Sequence, residues 1–162
     1  EASELDELYN TIGLGAMKFY LLRVDPKKKM IFNPEESIDF HGFTGPFVQY
    51  TYARIKSILR KEKLQTETMP DTLLLKLEKD IIVSLEQFST ILSQAAKELN
   101  PSVMAIYLFN LAKRFNSFYT VHSIANAETP EKKQLRLQLA VMVSNVLKKG
   151  MGLLGIAVPE RM

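Results

Sequence analysis

The residues best suited to binding chemistry lie between Phe47 and Lys63, where aromatic and basic side chains are interleaved. On a helix, Phe47, Tyr50 and Arg54 share one face, because they are three and four residues apart. Three further basic residues follow at the far end of this stretch, Arg60, Lys61 and Lys63. Tyrosine can stack on a base and arginine can bind a phosphate, so the pattern indicates contact with single-stranded RNA. The same spacing is also typical of aromatic residues buried in a core, which pattern alone favours.

A second group of aromatic and basic residues spans Lys113 to Tyr119. Phe115 and Phe118 continue an apolar stripe and are predicted to lie in the core. Tyr119 falls beside that stripe, where spacing favours packing over surface recognition. The amide of Asn116 could form a hydrogen bond with a base edge.

Motifs for catalysis and metal binding are missing from the sequence. There is no GxGxxG string, P-loop, GxSxG elbow or HExxH string. The two histidines, His41 and His122, are far apart, and there is no cysteine. We therefore predict no catalytic residue and no metal site. No run of 18 apolar residues predicts a membrane span. The net charge of +3 permits a polyanionic partner without requiring one.

The residues before position 43 are predicted to form a short mixed segment. Apolar spacing there indicates one helix, or two shorter helices interrupted near Gly13 and Gly15. The apolar run at residues 30–32 is consistent with a short strand. Asn33 followed by Pro34 predicts the start of a helix.

The residues from position 43 onward predict four helices with long apolar stripes. A polar capping residue or a proline marks each start, including Asp71 before the second helix. The predicted helices span about residues 45–61, 71–99, 101–121 and 130–150. Such stripes joined by short loops predict an all-α fold, an antiparallel helical bundle.

Four segments in order carry a family resemblance. Residues 39–61 have the sequence DFHGFTGPFVQYTYARIKSILRK. The other three are IGLGAMKFYLLRVDPKKKMIFNPEESIDF, NPSVMAIYLFNLAKRFNSFYTVHSI and GMGLLGIAVPERM. In these strings the chain resembles class I arginyl-tRNA synthetases. The first string resembles their junction between the catalytic body and the anticodon-binding helices.

The resemblance implies a DALR-type helical anticodon-binding domain whose partner is the anticodon loop of arginine tRNA. Tyr119 and Met162 match family positions that lie beside the anticodon. Tyr50 and Tyr52 are further candidates, with no choice between them, and Arg54 is expected to contact a phosphate or support the structure. The predicted tRNA-binding residues are therefore Tyr50, Tyr52, Arg54, Asn116, Tyr119 and Met162.

The resemblance also implies how the chain is divided. Residues 1–42 are expected to end a catalytic and stem-contact region, and residues 43–162 to form the anticodon-binding domain. The family's ATP-binding motifs are absent here and are expected upstream, so the chain is expected to need no cofactor, while the upstream catalytic domain uses ATP and arginine. The implied protein is a cytoplasmic, monomeric ligase. A helical protein-interaction domain is the alternative.

Overall fold

The computed structural model describes residues 2–65 and 72–162, with side chains described from residue 4 onward. Within these ranges every regular element is a helix and there is no strand. The elements are α1 (Ala2–Leu22), α2 (Pro34–Ser37), α3 (Gly45–Lys61), α4 (Lys76–Glu86), α5 (Phe88–Glu98), α6 (Pro101–Val121) and α7 (Pro130–Leu153). The predicted all-α fold is confirmed.

The first helix is continuous, so the alternative of one helix is correct and that of two helices interrupted near Gly13 and Gly15 is not. Gly15 serves close packing rather than a turn. A methyl group added there would lie 2.4 Å from Nε2 of Gln49 in α3. A glycine inside a helix therefore marks the place where a neighbouring helix approaches, which local spacing does not reveal.

Residues 30–32 form no strand, which corrects the second expectation for this region. Phe32 instead packs edge-on against Tyr20 of α1, with 5.3 Å between ring centroids. A strand needs a neighbour to satisfy its backbone groups, and the described part of the chain offers none. The predicted helix start is confirmed, because Asn33 caps α2 by accepting a hydrogen bond from the Glu36 backbone nitrogen at 3.2 Å.

Helices α3, α6 and α7 form the centre of the bundle. α7 runs antiparallel to α6, because Gly150 near its end packs on Leu108 in the first half of α6. It also runs antiparallel to α3, because Lys133 near its start pairs with Glu62 after α3 at 2.7 Å. α3 and α6 run in the same direction. Fully buried side chains between these helices include Val48, Ile55, Leu111, Phe115, Phe118, Leu139 and Val143.

The helix predicted over residues 71–99 is two helices, α4 and α5, separated at Gln87. The predicted cap Asp71 lies outside the described residues. The Tyr107 hydroxyl of α6 donates to the Ser84 carbonyl oxygen at 2.7 Å, which is the acceptor that residue 88 uses in an uninterrupted helix. Burial raises the pKa of Tyr107 to about 12, so its hydroxyl stays protonated. Such a side chain entering the helix ladder is a known cause of kinks.

A buried ion cluster joins α4 to α7. Glu78 is fully buried, and its carboxylate contacts Lys132 Nζ at 2.6 Å and Arg136 Nε at 3.0 Å. Arg136 is also buried and pairs with Glu128 at 2.7 Å. Burial opposes ionisation of Glu78, but hydrogen bonds from Lys132, the Leu75 backbone and Arg136 outweigh it. The pKa of Glu78 therefore lies below its ordinary value, and the carboxylate is charged when folded.

Replacing this carboxylate tests the importance of the cluster. Glu78→Gln leaves two buried cations without their shared anion, so we expect a loss of about 3–5 kcal/mol in the free energy of unfolding. Glu86→Gln, on the exposed side of the same helix, is the matched control and is expected to change it by less than about 0.5 kcal/mol. Urea denaturation measures both, and equal effects would contradict the assignment.

The cluster also predicts a dependence on pH. Because folding lowers the pKa of Glu78 from an ordinary value of 4.5, its stabilising effect is complete above that pH and is lost as pH falls through the lowered value. The difference in stability between wild type and Glu78→Gln is therefore expected to shrink from pH 7 to acid. Urea midpoints of both proteins across this range measure the difference, in which the effects of carboxylates outside this cluster cancel. A constant difference would show that Glu78 does not titrate as described.

Candidate nucleic-acid interface

The start of α3 is fixed closely against α1. Thr44 caps α3, since its Oγ1 accepts a hydrogen bond from the Phe47 backbone nitrogen at 3.3 Å. Gly45 follows at the point of closest approach. A methyl group added to Gly45 would lie 2.6 Å from the Gly15 carbonyl oxygen and 2.9 Å from Phe19 Cβ. A side chain at position 45 would therefore push α1 away from α3.

The segment between α2 and α3 carries Phe40 and His41. Arg23, just after α1, contacts α2 before this segment and the far end of the segment itself. It donates to the Phe43 carbonyl oxygen and pairs with Glu36 at 2.5 Å. The hydrogen bonds from Arg23 and from a neighbouring tyrosine lower the pKa of Glu36. The segment is thereby held across the first turns of α3.

A groove with a volume of about 670 Å³ opens between α1, this segment, α3 and α6. We call it the aromatic groove because four rings line it, those of Tyr9, Phe40, Phe47 and Tyr50. The other lining residues are Leu8, Ile12, His41, Arg54, Asn116 and Met162. Tyr9 exposes 65% of its surface and Tyr50 exposes 41%, so both rings are available for stacking. The groove thus brings together four of the six predicted residues.

Arg54 is held in a defined orientation at the edge of the aromatic groove. Its Nη1 donates to Asn116 Oδ1 at 2.9 Å, and its guanidinium carbon lies 4.8 Å from the Tyr50 ring centroid. Asn116 Nδ2 in turn donates to Thr51 Oγ1 at 2.8 Å. Asn116 thus uses both ends of its amide inside the protein and orients Arg54, while its contact with a base stays a prediction. The remaining guanidinium donors suit a phosphate or a base.

The other two predicted residues lie elsewhere. Tyr52 exposes only 2% of its surface and is therefore unable to stack on a base in this structure. Burial, followed by the charge and hydrogen bond of Glu160, raises the pKa of Tyr52. Tyr119 is half-buried and lies nearly parallel to the Phe115 ring, with 6.3 Å between centroids. It is not among the residues lining the aromatic groove, and its RNA contact stays a prediction.

Sequence reasoning missed the contribution of α1 to the aromatic groove. Tyr9 is the most exposed of the four aromatic residues in the groove, yet its stretch predicted only a helix. That Tyr9 and Tyr50 line the same groove depends on the packing of two helices that are distant in sequence. Phe40 packs edge-on against Tyr50 at 6.3 Å. The sequence around Phe40, which lies two residues before Gly42, gave no signal of this contact with Tyr50.

The chemistry of the aromatic groove favours stacking over phosphate binding. Arg54 is the one arginine or lysine among its lining residues. Glu4 and Glu7 of α1 line the neighbouring depression. In the described ranges, histidine and acidic side chains form no group of three or more that could hold a metal ion. None of the described helices combines the length and apolar character that crossing a membrane requires.

Comparison with known proteins finds consistent relatives. A family model described as the DALR anticodon binding domain matches residues 48–162. The arginine–tRNA ligase of Flavobacterium psychrophilum is 50% identical over 155 residues, which are 96% of this chain and 26% of that protein. The arginine–tRNA ligase of Parabacteroides distasonis is 45% identical over 164 residues, covering 98% of this chain and 28% of that protein. The chain thus spans about a quarter of these relatives.

Solved structures of two arginyl-tRNA synthetases superpose on this chain. The arginyl-tRNA synthetase of Thermus thermophilus superposes with a TM-score of 0.89 at 34% identity, over 96% of this chain and 27% of that one. The enzyme of Plasmodium falciparum shares the fold, with a TM-score of 0.88 at 24% identity over 97% of this chain and 28% of that one. With the family model covering most of its length, the chain belongs to the DALR anticodon-binding domain family of arginyl-tRNA synthetases.

Proposed function

We propose that this chain is the tRNA-binding part of an arginine–tRNA ligase and that the aromatic groove receives unpaired bases of the anticodon loop. One observation carries the proposal: exposed tyrosine rings and a fixed arginine line the same groove of an anticodon-binding fold. Stacking of a base on an aromatic side chain contributes roughly 1–3 kcal/mol. Two such rings therefore contribute roughly 2–6 kcal/mol to the docking of a flexible loop.

The mechanism is positioning. A splayed base stacks on Tyr50 or Tyr9, and the outward donors of Arg54 bind a phosphate or a base edge. Met162 supplies an adaptable apolar wall. Because the hydrogen bond from Arg54 to Asn116 forms within the protein itself, little side-chain entropy is lost when RNA binds. The chain orients the tRNA, and the chemical steps belong to another part of the enzyme.

The whole enzyme is proposed to charge arginine tRNA with arginine at the expense of ATP, as a monomer in the cytoplasm. The chain spans 26% and 28% of the lengths of two relatives, which leaves length for a catalytic domain elsewhere in the whole enzyme. Residues 1–42 are proposed to end the catalytic and stem-contact region. The start of α3 at Gly45 and the family match from residue 48 support a boundary near residue 43.

The outer face of α1 supports the proposed catalytic neighbour. Leu14, Met17 and Leu21 are spaced by three and four residues and expose 52%, 41% and 46% of their surfaces. Such a stripe on a helix is typical of a surface covered by another part of a protein. We assign it to the rest of the enzyme. The alternative function, a helical protein-interaction domain, would use the same stripe for a separate protein.

Removing one stacking ring tests the proposed function. Tyr50→Ala is expected to weaken binding of an arginine tRNA transcript at least about fivefold, as the loss of one stacked base implies. Tyr50→Phe keeps the ring and is expected to bind nearly as well as wild type. Fluorescence anisotropy at low salt measures the dissociation constants.

Ile106→Ala is the protein control, since Ile106 is an exposed residue of α6 that does not line the aromatic groove. The RNA control is the same transcript with its anticodon loop replaced by a tight tetraloop, which is expected to bind weakly to every variant. Equal affinity of wild type and Tyr50→Ala would remove the groove from the interface. If wild type binds neither RNA, the interaction-domain alternative is favoured.

A further inference from the structure

The C-terminal segment, residues 155–162, has no helix of its own beyond α7 and is held by side chains of α1 and α3. Lys18 Nζ donates to the Gly155 carbonyl oxygen at 2.7 Å. Gln49 Nε2 donates to the Ala157 carbonyl oxygen at 2.8 Å. Gly155 and the buried Ile156 also donate backbone hydrogen bonds to α7, so the side-chain anchors matter most for the residues that follow.

Glu160 is the last anchored residue of the C-terminal segment. Its carboxylate lies 3.3 Å from Lys56 Nζ. One turn earlier on α3 is the buried Tyr52, whose pKa is raised first by burial and then by Glu160. Arg60 Nη1 donates to the Glu160 carbonyl oxygen at 3.0 Å. Tyr52, Lys56 and Arg60 are spaced by four residues, so they form one polar stripe along α3. This stripe lies away from the face that carries Tyr50.

Met162 follows Glu160 by two residues and lines the aromatic groove with Tyr50 and Arg54. Two residues of extended chain reach at most about 7 Å. Fixing Glu160 therefore limits Met162 to a small region at the mouth of the groove. Pro159 narrows the possible paths further, because its ring fixes one backbone torsion.

We propose that Lys56, together with a hydrogen bond from the Tyr52 hydroxyl, holds the Glu160 carboxylate, and that these two positioning residues thereby place Met162 as a wall of the aromatic groove. The proposal deepens the proposed function and rests on it where RNA binding is concerned. It gives the buried Tyr52 a role in binding without contact to RNA. It also assigns the basic side chain of Lys56 to the protein's own C-terminal segment.

A double-mutant cycle tests this coupling. Tyr52→Phe removes only the hydroxyl, and we expect it to weaken binding of the arginine tRNA transcript about threefold to tenfold when Met162 is present. In a Met162→Ala background we expect less than about a twofold effect, because residues that act through one contact are not additive. Equal factors in both backgrounds would overturn the proposal.

Charge-matched variants extend the cycle to Lys56. Lys56→Met is expected to behave like Tyr52→Phe, including its dependence on Met162. Lys97→Met removes a lysine on α5, away from the aromatic groove, and is expected to leave the affinity within a factor of about two. A general loss of positive charge would weaken binding in both lysine variants equally and would overturn the positioning role.

A measurement without RNA separates this proposal from the proposed function. The chain has seven methionines, and methyl-labelled methionine gives each a resonance, with that of Met162 identified by its absence in Met162→Ala. We expect the Met162 signal to be shifted by the surrounding rings in wild type. In Tyr52→Phe and in Glu160→Gln we expect it to move to the position of an unstructured methionine. An unmoved signal in both variants would overturn the positioning role, whereas failure of wild type to bind RNA would overturn only the proposed function.

Discussion

The close approach of α1 and α3 is the constraint on which the binding surface depends. Gly15 and Gly45 have no side chains to separate the helices at this contact. One turn further along α3, Gln49 is fully buried and its Nε2 donates both to the Thr11 carbonyl oxygen at 3.1 Å and to the Ala157 carbonyl oxygen at 2.8 Å. One amide thus ties α1, α3 and the C-terminal segment together. All three elements contribute lining residues to the aromatic groove. Breaking such a buried hydrogen bond is costly.

The sequence predicted those parts of the fold that local signals determine. The starts of α3, α6 and α7 have a capping residue followed by proline or by glycine and proline, with Thr44, Asn100 and Thr129 as the caps. These starts were predicted correctly because a cap acts within its own turn. The break between α4 and α5 depends on Tyr107 of another helix, so no local pattern could indicate it. The role of Gly15 inside α1 likewise depends on another helix, because this glycine packs against Gln49 of α3.

At the binding site, too, the sequence shows which residue types are present but not which way their side chains point. Aromatic and basic residues in one string are compatible with an RNA contact, although their spacing alone favours burial, and the string does not show which of them face outward. Tyr50 and Tyr52 are two residues apart, about 200° around a helix, so they point to different sides. Only the packing of α3 decides that Tyr50 is exposed and Tyr52 is buried. Likewise, Lys56 is engaged by Glu160, so a basic residue near the site does not by itself identify a phosphate contact.

The central claim is that unpaired RNA lies in the aromatic groove beside α1. Site-specific photocrosslinking tests it most directly, with p-benzoylphenylalanine placed at position 9 in the groove or at position 17 on the outer stripe of the same helix. In this chain without the rest of the enzyme, Tyr9 and Met17 are both exposed, so reagent access does not distinguish them. After irradiation with arginine tRNA, the account predicts that position 9 is linked to anticodon-loop nucleotides and position 17 to none. Crosslinks from position 17 without any from position 9 would contradict it.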